Sequence, residues 1–492
     1  MLNTSELVFL QLPAMAALAL YVAANLGAND VANSMGTSVG SKALTLRQAI
    51  IVAGILEFSG AVLFGRGVSE TLATGVVNGD VFAAEPQVFL IGMVSVLIAG
   101  GLWLQIATSR GLPVSSSHAV VGAIAGFSCV AAGIDAVDWR AIGTISLTWL
   151  ATPFASGILA ALFYSVLKYS ILDRPDPLFQ MREWIPWLSA ALLSVFGIIV
   201  LPSIIDVALV QTGAIATVYD RFGWNLPIHD IAIAIGGIGA IGLSLNSWKK
   251  LESVEKSEVR SQKSEGSSAT SNVPDVTDVA DVSPSEEVRS QKSEARSTNT
   301  NSPNLPISPS PNLPQDPPPR HCPIEQQMAR FQVLSACFVA FAHGSNDVGN
   351  AVAPLAAIAY IRRTGSFPSD DFSVPLWILV VGGAGIVIGL AIWGKNVIAT
   401  VGEKIIQLQP SGGFCAELAT STTVLLASRF GLPVSTSHAL VGAVVGVGLV
   451  KAWKTVRWET LLSIGSAWLI TLPIAAVLGA SIFSIAQWIV RF

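Results

Sequence analysis

Two short patterns in this chain contain residue types that could do chemistry, and each occurs twice. The first is GANDVANSMG at Gly27–Gly36, matched by GSNDVGNAVAP at Gly344–Pro354. The second is GLPVSSSHAVVGAIAG at Gly111–Gly126, matched by GLPVSTSHALVGAVVG at Gly431–Gly446. Within a copy the two patterns lie 84 residues apart (Gly27 to Gly111) and 87 residues apart (Gly344 to Gly431). Order, spacing and sequence recur together, which marks an internal repeat.

Asn29, Asp30 and Asn33 fall at i, i+1 and i+4, and Asn346, Asp347 and Asn350 repeat that spacing inside otherwise apolar stretches. Asn, Asp and Gly are poor helix-interior residues. The helix is therefore expected to break there and to expose N–H groups that bind anions. Capping by Asn and Asp is the purely structural alternative. A carboxylate at membrane depth is costly, however, and here one occurs twice at matching places. Ser115, Ser116 and Ser117, and again Ser435, Thr436 and Ser437, set three hydroxyls at a helix start, next to a proline suited to the first turn. An ordinary cap needs one hydroxyl, not three. O–H donors beside free backbone N–H groups fit a tetrahedral oxyanion. His118 and His438 either orient this turn or touch a ligand. They and His343 rank below the hydroxyls, because a lone histidine is usually structural.

Neither pattern contains Lys or Arg. An anion held here by dipoles and hydroxyls would be repelled by Asp30 and Asp347 unless a cation lay between them. That points to cation-coupled symport, with Na⁺ or a proton as the coupling ion and no other cofactor. Hard oxygen ligands suit Na⁺, for which Asp30 and Asp347 are the expected metal ligands. Asn33, Asn350, Glu57 and Glu417 are further cation-coupling candidates. Asn29 and Asn346 join the six hydroxyl residues as candidate anion ligands. Carboxylate acceptors favour phosphate over sulfate, since phosphate near neutral pH carries an O–H to donate and sulfate does not. Glu57 has no acidic counterpart in the second copy, where the aligned stretch reads Gly-Gly-Ala-Gly-Ile-Val. Gln105 is a weaker polar candidate.

The elements that position these residues are read from composition. The chain has 492 residues, 52% hydrophobic and only 12% charged. Of its 60 charged residues 21 lie between Asn246 and Met328, so the other 409 residues share 39 charges, too few for a soluble surface. Apolar runs near the length of a bilayer core start near Leu7, Arg47, Gln87, Pro113, Arg140, Trp184 and Leu226, then near Ala329, Val374, Ser411, Pro433 and Leu461. The expectation is an all-α polytopic membrane protein of about twelve membrane segments. The first repeat occupies a membrane half at 1–245 and the second a half at 329–492. Residues 246–328, rich in Ser, Pro and Glu, are expected to be a disordered linker. An octapeptide, EVRSQKSE, is duplicated there at Glu258–Glu265 and Glu287–Glu294. Loops after odd-numbered segments hold eleven Lys and Arg, against six after even-numbered ones. The positive-inside rule then puts the linker in the cytoplasm and both termini outside. The two copies are offset by seven segments, an odd number, so they should be inverted relative to each other, with broken helices and a site where they meet.

With both motif pairs present, the chain resembles the inorganic phosphate transporter (PiT) family over about 400 residues of its membrane halves. The resemblance implies twelve segments, a cytoplasmic central loop, outward termini, symport of inorganic phosphate with Na⁺ or H⁺ and a homodimer; two inverted copies suit alternating access, and the expected location is the plasma (inner) membrane. The family's Asn-Asp motifs correspond to Asn29, Asp30, Asn346 and Asp347, its hydroxyl motifs to Ser115–Ser117 and Ser435–Ser437, and its important acidic residues to Glu57 and Glu417. Gly-Ser-Asn-Asp stands where Gly-Gly-Asn-Asp is commoner, and Ser117 and Ser437 stand where Thr is frequent. A sulfate permease of the same fold is the main alternative, followed by a channel or nutrient sensor. A Ser-His membrane hydrolase is weaker still. Gly36–Gly40 matches GxSxG, but that motif needs a strand-to-helix turn. The net charge of −4 carries no nucleic-acid signature, and the four scattered cysteines form no CxxC.

Overall fold

A computed structural model describes residues 4–110, 114–205, 228–269, 323–368, 372–401, 408–453 and 456–491. Among these the secondary structure is helical apart from one isolated bridge, Val77 to Val137. The chain divides into two units, 1–249 with 323–492, and 250–322.

In the order of the chain the first copy supplies α1 (Thr4–Gly40), α2 (Leu46–Phe64), α3 (Arg66–Thr74), α4 (Gly79–Ala83), α5 (Pro86–Ser109), α6 (Ser116–Ala132) and α7 (Trp139–Leu167). Next come α8 (Pro177–Ile199), α9 (Leu201–Ile205) and α10 (Ile228–Ala269). The second copy supplies α11 (Pro323–Thr364), α12 (Leu376–Val401), α13 (Pro410–Arg429), α14 (Thr436–Ala452) and α15 (Trp458–Arg491). Eight of these, α1, α2, α5, α7, α8, α10, α12 and α15, are long and apolar enough to cross a membrane. A helix answers each apolar run read from the sequence. However, α6 and α14 have 17 residues each, about 26 Å, short of a bilayer core.

Two expectations need correction. The helices do not break at the Asn-Asp motifs, because α1 and α11 run through Gly27–Asp30 and Gly344–Asp347. Those glycines have a different use. A Cβ at Gly27 would fall onto the carbonyl oxygen of Ile386, and one at Gly344 onto that of Glu57. They let α1 close on α12 and α11 close on α2, in the manner of small-residue membrane packing. Away from water, keeping the helical hydrogen bonds also costs less than exposing them. The interruptions fall instead at Val114–Ser115 and Leu432–Ser435, between the paired helices α5 and α6 and between α13 and α14. The second correction concerns the linker. Its edges, 246–269 and 323–328, are helical, continuing α10 and opening α11. Residues 228–269 hold no proline, and between Lys249 and Glu265 they carry four Lys and four Glu, which propagate helix well. The remainder of the linker, 270–322, lies outside the described residues.

The two copies exchange partners. Helix α6 packs on α15, where Gly122 and Gly126 meet the carbonyls of Leu472 and Ala476. Helix α14 packs on α7, where Gly442 and Gly446 meet those of Pro153 and Gly157. The motif helices α1 and α11 run antiparallel. Ser41 at the end of α1 donates to Gln332 near the start of α11, at 2.6 Å, while Leu12 and Ala16 border the same cavity as Ala356 and Arg363.

Candidate functional site

The interruptions before α6 and α14 bring their N-termini into the centre of the helical unit, against α1 and α11. Ser115 and Ser435 are the caps, each accepting from the backbone N–H three residues on, of His118 and His438 respectively, at 3.4 Å. Capping accounts for those two hydroxyls and leaves Ser116, Ser117, Thr436 and Ser437, all buried. Ser116, Ser117 and Ser437 meet the Asn-Asp motif of the opposite copy, and Thr436 meets that of its own. Asn33 Nδ2 donates to Ser437 Oγ at 2.8 Å and to Asp30 Oδ1 at 2.9 Å. Asn350 Nδ2 lies 3.1 Å from Ser116 Oγ and 3.2 Å from Ser117 Oγ. Thr436 Oγ1 donates to Asp347 Oδ2 at 2.9 Å. Residues more than 200 positions apart in the chain thus face one another across one small volume.

Beside the hydroxyls lies a buried acidic cluster. His343 Nε2 is 2.9 Å from Asp347 Oδ2 and 4.0 Å from Asp30 Oδ2, and its Nδ1 is 3.2 Å from Glu57 Oε1. Ser34 Oγ donates to Glu57 Oε1 at 2.9 Å. Asp30, His343 and Asp347 offer ligand atoms all within 4.8 Å of one another, a spacing that can hold a metal ion. Four buried oxygens here have no hydrogen-bond donor: Asp30 Oδ2, Asp347 Oδ1, Glu57 Oε2 and Asn350 Oδ1. Each buried acceptor left unpaired costs about 1–3 kcal/mol, more when charged. A hard cation among them would remove that cost.

Asn29 and Asn346 brace the hairpins of their own copies. Asn29 Nδ2 donates to Thr108 Oγ1 at 2.8 Å. Asn346 Nδ2 donates to Ser428 Oγ at 3.0 Å and to the Leu432 carbonyl at 3.1 Å, while its Oδ1 accepts from the Val434 N–H at 3.2 Å. The Asn346 amide is therefore engaged at both ends. Glu417 lies apart from the cluster. Its Oε1 accepts from Thr37 at 2.5 Å, Ser38 at 2.7 Å and Gln332 at 3.2 Å, and its Oε2 from Ser335 at 2.7 Å. Thr37 is seven residues, about 10 Å, along α1 from Asp30. Gln105 takes a hydrogen bond from the Tyr21 hydroxyl at 3.3 Å on an exposed surface, outside the site.

His118 and His438 tie the copies together. Each Nδ1 lies 3.2 Å from a tryptophan carbonyl of the opposite copy, Trp468 and Trp149 respectively. Their rings meet edge to face at 4.9 Å. His343, placed by sequence reasoning among structural histidines, is the centre of the acidic cluster. Its signal was position: it precedes Gly344 directly and lies one helical turn before Asp347. Thr108 and Ser428 were also missed, although each stands three residues before the glycine of its hydroxyl motif. Ser34, one turn after Asp30, went unnoticed as an ordinary helix serine.

A buried acidic cluster facing hydroxyl-bearing helix ends, at the meeting of two related halves made of apolar helices, defines a membrane transporter of small ions. The chain belongs to the phosphate transporter family, whose match covers residues 26–479. It is 35% identical over 477 residues to the inorganic phosphate transporter 2-1, chloroplastic, of Arabidopsis thaliana, covering 95% of this chain and 70% of that one. It is 33% identical over 461 residues to a putative phosphate permease of Thermococcus kodakarensis, covering 94% of each. A solved structure described as the sodium-dependent phosphate transporter is similar with a TM-score of 0.72 at 31% identity, covering 97% of this chain and 99% of that one. The protein is an integral membrane transporter and not an enzyme, so the hydrolase alternative falls.

Proposed function

We propose that this protein is a secondary active symporter that imports inorganic phosphate with a cation, sodium by preference, by alternating access. The observation that carries the reading is the set of four donor-less buried oxygens lying next to hydroxyls at two helix N-termini. Phosphate would sit between the ends of α6 and α14, held by Ser116, Ser117, Thr436 and Ser437 and by the positive ends of the helix dipoles. Sodium would sit between phosphate and the carboxylates of Asp30 and Asp347, with Asn350 and Glu57 as further oxygen ligands. Asn33 would fix the orientation of Asp30 and Ser437 together. Asn29 and Asn346 are positioning residues for the hairpins rather than phosphate ligands, and Glu417 acts at a distance, through the packing of α1 on α13. The choice of sodium is supported by the solved relative described as sodium-dependent. No prosthetic group is required, since the cation is cotransported.

The architecture that suits this cycle is a pair of inverted repeats of twelve segments in all, with α5–α6 and α13–α14 as hairpins ending at the site. The antiparallel course of α1 and α11 and the exchanged packing of α6 on α15 and α14 on α7 support it. In this reading both termini are outside, 270–322 is a cytoplasmic linker, the membrane is the plasma (inner) membrane and the transporter is a homodimer. The test is radiolabelled phosphate uptake into proteoliposomes under an imposed Na⁺ gradient or proton gradient, with excess sulfate as competitor. Uphill uptake driven by Na⁺ and indifferent to sulfate is expected. Uptake abolished by sulfate would make the protein a broad oxyanion carrier, and the absence of uphill uptake under either gradient would make it a channel or sensor.

A further inference from the structure

Away from the buried site, a cavity of about 670 Å³ opens where the start of α1 meets the end of α11. Its walls are apolar and small: Ala16 of α1, Ala356 and Ala359 of α11, with Phe372 and Trp377 beyond. Arg362 and Arg363, in the last turn of α11, also line it. Arg363 is exposed and lies over the Tyr360 ring at 5.9 Å. Trp377 is 42% exposed at the first turn of α12. The matching junction at the other end of these antiparallel helices is built differently. There Ser41 bonds to Gln332, and Gln332 to Glu417, so the gap between α1 and α11 is closed by polar side chains.

We propose that the cavity binds one anionic phospholipid, with an acyl chain among the three alanines and the phosphate at Arg362 and Arg363. The chemistry matches at both ends. An apolar recess beside two guanidinium groups at the end of a membrane helix, flanked by Tyr and Trp, meets a lipid's tail and its charged head together. Arginine forms paired hydrogen bonds to phosphate oxygens, and two guanidinium groups together favour a headgroup of net negative charge over a zwitterion whose own cation they would repel. The lipid lies against α1 and α11, the helices that carry Asp30 and Asp347. Ala356 is nine residues, about 14 Å, along α11 from Asp347. Occupancy therefore sets the separation of the two motif helices at one end.

The test uses the full-length protein reconstituted in an equal mixture of phosphatidylglycerol and phosphatidylcholine. It is then extracted, and the retained lipid is counted by mass spectrometry. Wild type should retain about one phosphatidylglycerol per chain in preference to phosphatidylcholine. Arg362→Ala with Arg363→Ala should reduce that preference by about fivefold per arginine, and the Lys pair should keep most of it. Ala359→Phe puts a ring where the acyl chain would lie among the alanines and should sharply reduce retention of either lipid with both arginines intact, so the test stands even if the double alanine variant misfolds. Equal retention of the two lipids by wild type, or retention unchanged by Ala359→Phe, would overturn the proposal. So would the absence of retained lipid in wild type, which would leave the cavity to the chain's own first residues or to a second copy.

Discussion

Asp30 and Asp347 look equivalent in the repeat, yet their neighbours differ. The contacts of Gly27 with Ile386 and of Gly344 with Glu57 fix the register between copies, so Glu57 corresponds to Ile386 and His343 to Leu26. Leu26 and Ile386 at the contact of α1 with α12 are thus His343 and Glu57 at the contact of α11 with α2, and Asp347 gains an imidazole that Asp30 has only at 4.0 Å. Asp347→Asn and Asp30→Asn should each abolish cation-coupled phosphate uptake while preserving expression and a monodisperse gel-filtration profile. Normal coupled uptake by either variant would remove that residue from the cation site. The hydroxyls divide by role. Ser116→Ala and Thr436→Ala should raise the KM for phosphate by about fivefold to tenfold, one hydrogen bond to a charged group each. Ser115→Ala removes a cap and should instead lower stability by about 1 kcal/mol, read as a drop in Tm, with a smaller effect on KM.

At the scale of elements, the glycines of α1 and α11 are contact surfaces. Gly27→Ala and Gly344→Ala place a methyl on a partner carbonyl and should destabilise by about 1–3 kcal/mol, as overpacking does. Gly237→Ala, where a Cβ has open space within 4 Å, serves as the control and should leave the melting temperature unchanged or slightly raised. The same glycines show what was legible in the sequence. Their repetition announced the motif, and the same i, i+1, i+4 spacing of Asn and Asp marked both copies. Low helix propensity argued for a break, however, and propensity is overridden where a helix is packed on all sides away from water. The hydroxyl motifs read better, because a Ser cap acts locally, although Pro433 lies two residues before the cap Ser435 and not in the first turn. The pairing of Asn33 with Ser437 and of Asn350 with Ser116 could not be read from either motif alone, since it depends on how the copies dock. Glu417 was found by its charge in an apolar run, but its four donors come from α1 and α11 and its separation from Asp30 is a tertiary fact.

For the whole molecule, the two copies share one fold and divide the chemistry unequally. His343, Glu57, Gln332, Ser335 and Glu417 all fall where the opposite copy has Leu, Ile or Met, namely Leu26, Ile386, Met15, Leu18 and Leu97 respectively. Four of these five extra polar residues lie in the second copy and Glu57 in the first, so the buried polar groups are distributed unequally over a repeated framework. Replacing 270–322 by a short Gly-Ser connector should leave phosphate uptake within about twofold of wild type, because every candidate residue lies in the helical unit and flexible connectors are tolerated thermodynamically. Loss of uptake with intact folding would assign the linker a direct part. The central claim is that phosphate and cation share one chamber between the Asn-Asp helices and the hydroxyl-bearing helix ends. The most direct measurement is calorimetric phosphate binding to the purified protein with and without Na⁺, for wild type and Asp347→Asn. The prediction is that Na⁺ tightens phosphate binding at least about tenfold in wild type, with the reciprocal effect of phosphate on Na⁺, and that the variant loses this coupling. Phosphate affinity that is the same with and without Na⁺ in wild type, or coupling that survives in Asp347→Asn, would contradict it.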